Sequence, residues 1–176
     1  MKRVALFAVF MLTLVGTSIG QDRYGHLNFG NLVASMPETK QANSNLETYQ
    51  KQLVKAGEDM VKKFEADVKK LQADAGTGKF PPADLQKREA DLQKKQQEIL
   101  AYEQEVGQKV AAKRNELLQP IIQKAQDAIS VVAKANGFKL IFDSSVFNSI
   151  LFAQESDDIM ALVAKELGVA VPAANK

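Results

Sequence analysis

One histidine, His26, and no cysteine in 176 residues leave few ways to build a reactive centre. A serine nucleophile needs a base within hydrogen-bond reach and a third group to orient that base. Asp143-Ser144-Ser145 supplies an acid and two hydroxyls. Those three residues also have the composition of a turn between two apolar runs, which accounts for them without chemistry. A metal site needs several convergent ligands, and one histidine with no cysteine offers no such set. Gly78-Lys79 invites comparison with a phosphate-binding loop. That motif requires glycine at 73 and Ser or Thr at 80, where Ala73 and Phe80 stand, and it follows a strand where this stretch follows a helical pattern. The sequence therefore predicts no enzyme, no cofactor and no metal. Function has to come from surfaces.

The elements that carry those surfaces begin after an export signal. Lys2-Arg3, the apolar run from Val4 to Val15 and the small residues Ser18 and Gly20 make a signal peptide over residues 1–20, cleaved before Gln21. The run is short for a bilayer span and no second one follows, so the mature chain is expected to make no stable membrane insertion. Without Lys2 and Arg3 the chain is neutral, with 21 basic against 21 acidic residues. No basic stripe with interleaved aromatics is present, so nucleic acid is not an expected partner.

Two long helices follow a short strand over 23–29 and a helical turn over 31–35. The first runs from about Glu38 to Ala75, with apolar or small residues at Leu46, Tyr49, Leu53, Ala56, Met60, Phe64, Val68, Leu71 and Ala75. At 1.5 Å per residue it reaches roughly 55 Å. Residues 76–82, with two glycines and two prolines, form the break. The second helix runs from about Ala83 to Ala135, with Leu85, Leu92, Ile99 and Val106 seven apart. A short break between long helices forces an antiparallel hairpin. Its outer part shows one apolar residue per heptad, with Arg88, Glu89, Lys95 and Gln96 between, and the part from Val106 onward shows three or four. The tip should be loosely held and the base firmly held. Pro120 should kink the second helix. Phe64, Phe80 and Tyr102 are candidate contacts for a bound partner. Each also has a plainer reading, the turn for Phe80 and the seam for the others. The Lys-rich faces, such as Lys62-Lys63, Lys69-Lys70 and Lys94-Lys95, read as solvated, or alternatively as a lure for acidic clients.

Asn136-Gly137 closes the second helix. Phe138–Phe142 and Val146–Phe152, joined by Asp143-Ser144-Ser145, read as a β-hairpin. A last helix spans 158–167, capped by Ser156 or Asp157, and residues 169–176 read as a flexible tail. Segments 21–37 and 118–168 thus make a β-containing base, and 38–117 the projecting helical hairpin. So small a base leaves exposed strand edges. Several copies completing one another's sheet would remove that liability. An oligomer is predicted, with Leu27, Phe29, Leu140, Phe142, Ile150 and Phe152 at its interface.

This order of parts resembles the Skp/OmpH family of periplasmic chaperones. Gly25-His26-Leu27-Asn28-Phe29 with Ser35-Met36-Pro37-Glu38 and Lys40 is similar to the family's first strand and helix start. Leu117-Leu118-Gln119-Pro120-Ile121-Ile122, then Lys124, Ala128-Ile129, Val132-Ala133 and Gly137, is similar to its signature at the hairpin base. Leu140-Ile141-Phe142-Asp143 and Asp157-Asp158-Ile159 fit the following strand and last helix. The resemblance implies a mainly α fold with a small β part (α+β). It also implies a homotrimer with a central β-barrel, helical hairpins as tentacles around a cavity, and ATP-independent holding of unfolded outer-membrane proteins in the periplasm. A structural or adaptor coiled coil of the cell envelope is the alternative from a different class.

Overall fold

The structure is a computed structural model and describes residues 22–171. The predicted signal peptide and the last five residues of the predicted tail lie outside the described residues. The chain order is β1 (Arg23–Leu27), α1 (Phe29–Ser35), α2 (Pro37–Gly76), α3 (Pro82–Asn136), β2 (Phe138–Asp143), a 3-10 turn (Glu155–Asp157) and α4 (Met160–Leu167). The two long helices pack against each other as a hairpin, and everything else gathers at its open end.

Local chemistry sets the boundaries. The Asn28 side chain accepts from the Asn31 N–H at 2.8 Å and starts α1. Pro37 occupies the first turn of α2, where its missing N–H costs nothing. Gly137 (φ 70°) and Gly168 (φ 67°) end α3 and α4 in the left-handed conformation that glycine adopts without strain. Pro120 lies within α3, which continues through it to Asn136. Neither Ser156 nor Asp157 caps α4: its N-cap is Ile159, and the Asp158 carboxylate just ahead of it accepts from the Met160 N–H at 2.7 Å.

The predicted β-hairpin does not form within the chain. β2 pairs instead with β1, in parallel, with Tyr24 beside Leu140 and Leu27 beside Asp143. The Asp143 carboxylate explains the change of course. It accepts from the Phe29 N–H at 3.1 Å and the Ser145 N–H at 2.8 Å, so it ties the end of β2 to the start of α1. Residues 144–149 then turn, with Asn148 at φ 59° and the Ser149 hydroxyl 2.8 Å from the Asp143 carbonyl. The run Val146–Phe152 is consequently left without a strand partner in its own chain, and Phe147 and Leu151 are each 90% exposed.

The core sits wholly in the base. Leu27 of β1, Leu32 of α1, Met36, Ala42 of α2, Ile121, Ala125, Ala128 and Val132 of α3, and Ile159, Met160 and Val163 form one buried cluster. Small residues on α3 let β2 and α4 come close to it. Gly25 serves the same approach, since a Cβ there would lie 3.0 Å from Ile159 Cγ2 and 3.2 Å from Phe138 Cε1. Between Ala42 and Ile121 no side chain of the hairpin is fully buried. Leu32→Ala should therefore lower the unfolding free energy of the mature protein by about 2–5 kcal/mol. Leu92→Ala, in the half-buried outer seam, should lower it by about 1 kcal/mol or less. Urea denaturation measures both, and equal losses would contradict a core confined to the base.

Candidate functional site

The His26 and Asp143 side chains, the candidate base and acid, are each hydrogen-bonded to backbone groups. His26 Nε2 lies 3.2 Å from the Gln154 carbonyl, and Ser144 N–H donates to the Leu27 carbonyl at 2.9 Å. Burial pushes the Asp143 carboxyl up, but the hydrogen bonds from Ser145 and from the Phe29 N–H outweigh it and hold it below the usual 3.8. Gly78, at φ 66°, simply turns the chain after α2. Among the described residues, no group of three or more His, Asp or Glu side chains converges as a metal site.

Two apolar surfaces remain, and the hairpin carries the first. On α3, Leu85, Leu92, Ile99 and Val106 form one half-buried row. A second row, also seven apart, consists of Arg88, Lys95, Tyr102 and Lys109. These polar residues reach across or along the seam. Arg88 bonds Asp74 of α2 at 2.6 Å and lies 4.6 Å over the Phe80 ring. Lys95 pairs with Asp67, the Tyr102 hydroxyl donates to the Leu53 carbonyl at 2.9 Å, and Lys109 sits 5.4 Å over the Tyr102 ring. Nearer the base Lys124 pairs with Glu38. The partners Asp74–Arg88, Asp67–Lys95 and Glu38–Lys124 are 14, 28 and 86 residues apart, and each pair is centred on Pro81. They are rungs of one antiparallel register.

Gly57 completes the middle of the seam. Its missing side chain lets the Tyr102 ring lie over α2, where a Cβ would sit 3.4 Å from Tyr102 Cε1. Beside that contact a groove of about 550 Å³ opens between the helices, floored by Leu53, Val54, Val61, Ile99, Tyr102 and Val106. Of the three predicted contact residues, Tyr102 lines this groove. Phe64 is half-buried in the hairpin and Phe80 half-buried at the tip under Arg88. Sequence reading missed Val54 and Val61, 56% and 37% exposed. Each directly follows a seam residue (Leu53, Met60), the two seven apart, and that offset was the available signal.

The second surface lies on the base. Leu140 and Phe142 project from β2, Tyr24 from β1, and Phe147, Leu151 and Phe152 from the loop, all exposed. Phe142, Ile150, Leu151 and Phe152 line a cavity of about 430 Å³ with Tyr24 and His26. Leu27, by contrast, is spent inside the chain's own core, and Phe29 packs against that core half-buried. An apolar surface this concentrated is uncommon on a monomer.

The rungs can be tested. The Asp67 carboxyl is held below 3.8 by its hydrogen bond from Lys95, and Glu38 below 4.5 by that from Lys124. Depressed carboxyls stabilise the hairpin fully above their ordinary values, and that stabilisation is lost as the pH falls through the lowered ones. Spin-label distances across the outer hairpin should therefore broaden below about pH 4. At neutral pH Asp67→Lys should broaden them too, and adding Lys95→Asp should restore them. Failure of the double variant to recover would show that the pair does not fix register.

The sequence matches the family described as "Outer membrane protein (OmpH-like)" over residues 23–167. No curated protein matches it closely enough to be counted a relative. Among solved structures, a candidate OmpH-like outer membrane chaperone of Caulobacter crescentus superimposes with a TM-score of 0.68. The two share 20% identity, over 86% of this chain and 88% of that one, so the likeness is one of fold. The chain belongs to the OmpH-like outer membrane protein family.

Proposed function

We propose that the protein is an ATP-independent holdase chaperone of the periplasm, which keeps unfolded outer-membrane proteins from aggregating. The observation that carries this reading is the division of the chain. All full burial lies in the base, while the long hairpin is half-buried throughout and opens an apolar groove at its middle. A rod meant only for bridging would gain from a closed seam. An arm meant to touch a non-native chain gains from apolar side chains that stay within reach of it.

The exposed base completes the proposal. Leu140, Phe142, Ile150 and Phe152, with Phe147 and Leu151, form the contact through which copies assemble, and the unpaired strand edges join into a barrel of three chains. Phe29, at the margin of the core, braces that contact. Three hairpins then surround one cavity. Many weak contacts inside it give a high effective concentration, so a bound client escapes slowly without any single strong contact. Release follows when the client buries its apolar surface in the membrane, and no nucleotide step is required.

Two measurements test this. Mature protein in stoichiometric excess should suppress light scattering when a urea-unfolded β-barrel protein is diluted into buffer. No suppression, together with recovery of one fixed partner from envelope extracts, would instead mark an adaptor coiled coil. Light scattering of the mature protein should give a trimer mass at micromolar concentration. Leu151→Ser with Phe152→Ser should shift it toward the monomer, and an unchanged mass would remove the base from the interface.

A further inference from the structure

The groove at the middle of the hairpin has a charge pattern that its apolar floor does not explain. Glu58 and Glu65 of α2 and Glu103 of α3 stand on its rim, with Lys62 as the single cation among the lining residues, a balance of −2. All four are exposed, and among the described residues none of them takes part in an ion pair. Their charges are therefore available to a ligand. The lysine-rich faces of the hairpin read as solvated, or alternatively as a lure for acidic clients. The apolar surface that is within reach is rimmed by the opposite sign.

Its dimensions select a conformation. The lining runs from Leu53 to Glu65 along α2, which at 1.5 Å per residue is roughly 18 Å. An extended chain rises about 3.3 Å per residue, so five or six residues cover that length. Such a segment turns every second side chain to the same face. Three apolar side chains would enter the floor between Val54 and Val61 on one wall and Ile99 and Val106 on the other. The residues between them face the rim and solvent. A second copy of the groove is a poor occupant, because face-to-face pairing would bring two rims of the same sign together.

We propose that this groove binds an extended client segment of five or six residues, apolar at alternate positions and carrying lysine or arginine between them. The inference rests on the holdase reading and names the part of the client that is gripped first. Alternation of apolar and polar residues is also the pattern of a strand destined for a membrane barrel. The groove would thus select such strands by their period as well as by their hydrophobicity.

The test uses the full mature protein and two fluorescent eight-residue peptides, alternating Val-Lys and alternating Val-Glu. Anisotropy at low salt should show the basic peptide binding about tenfold more tightly than the acidic one, as expected for a few exposed charge pairs. High salt should shrink that difference. Glu58→Gln, Glu65→Gln and Glu103→Gln together should abolish the preference while leaving apolar binding in place. Val54→Ser with Val61→Ser should weaken both peptides severalfold, and circular dichroism should show unchanged helicity because both valines are exposed. Equal binding of the two peptides, or no effect of the valine pair, overturns the proposal. A change in oligomer mass with the valine pair also overturns it, because the groove would then be an interface between copies. The aggregation assay runs in parallel. If wild type suppresses scattering and both variants do so equally well, the groove assignment falls and the holdase reading stands. If wild type itself fails, both fall together.

Discussion

The buried cluster at the base fixes where every other part of the chain can go. Leu27 enters it from β1, Leu32 and Met36 from α1 and its end, Ala42 from α2, the Ile121–Val132 stripe from α3, and Val163 from α4. Both ends of the helical hairpin are therefore anchored at one point. The parallel pairing of β1 with β2 closes this anchor, because it ties the residues just before the hairpin to those just after it. Arg23 strengthens the closure by donating to the Asn136 carbonyl at 2.8 Å, across 113 residues of sequence. Lys139 and Asp22 add an ion pair at the same place. With its ends held in this way, the hairpin needs little further burial to exist, and the sequence provides little.

That economy separates two kinds of apolar surface. In the base, small α3 residues and Gly25 allow close packing, and the side chains that meet there are sealed from water. Along the hairpin, one row of the seam is apolar and the next is polar, so each turn of contact is half-buried. Helical stability depends on the packing of an apolar face far more than on intrinsic propensity. The outer arms are thus held by a half-buried seam, where the base is held by a sealed core. The exposed loop from Val146 to Phe152 is a third case, apolar yet neither sealed nor periodic within its own chain.

Much of this was legible in sequence, for reasons that differ by element. The two long helices were read to within about a residue, because their period persists for many turns and proline or glycine marks their ends. The sparse apolar content of the outer seam was legible around Arg88 and Lys95, but the firm part expected from Val106 onward begins only at Ile121, where full burial starts. The parallel sheet was not, because no local pattern announces a partner more than a hundred residues away. Val146–Phe152 looked like a strand because short apolar runs do. Asp143, which binds the Phe29 N–H, turned the chain before it could pair. The groove was missed because Val54 and Val61 fall beside the seam positions, where a helical wheel assigns them to neither face with force.

The polar rungs add a property that apolar packing alone would not. Ion pairs open to solvent contribute about 0–1 kcal/mol each, so the part-buried Asp74–Arg88 and the more exposed Asp67–Lys95 do not by themselves weld the helices together. Their effect lies in direction. A slip of one heptad would still bring Asp74 to Lys95, but it would leave Arg88 without its aspartate and set Asp67 against Tyr102. A half-buried apolar row is tolerant of such slips, since leucine and isoleucine meet similar neighbours in either register. Polar groups at seam positions specify register at some expense of stability. The hairpin is accordingly loose in how far its arms separate and definite in how they align. That alignment sets Gly57 against Tyr102 and places the groove between Val54 and Ile99 beside the contact.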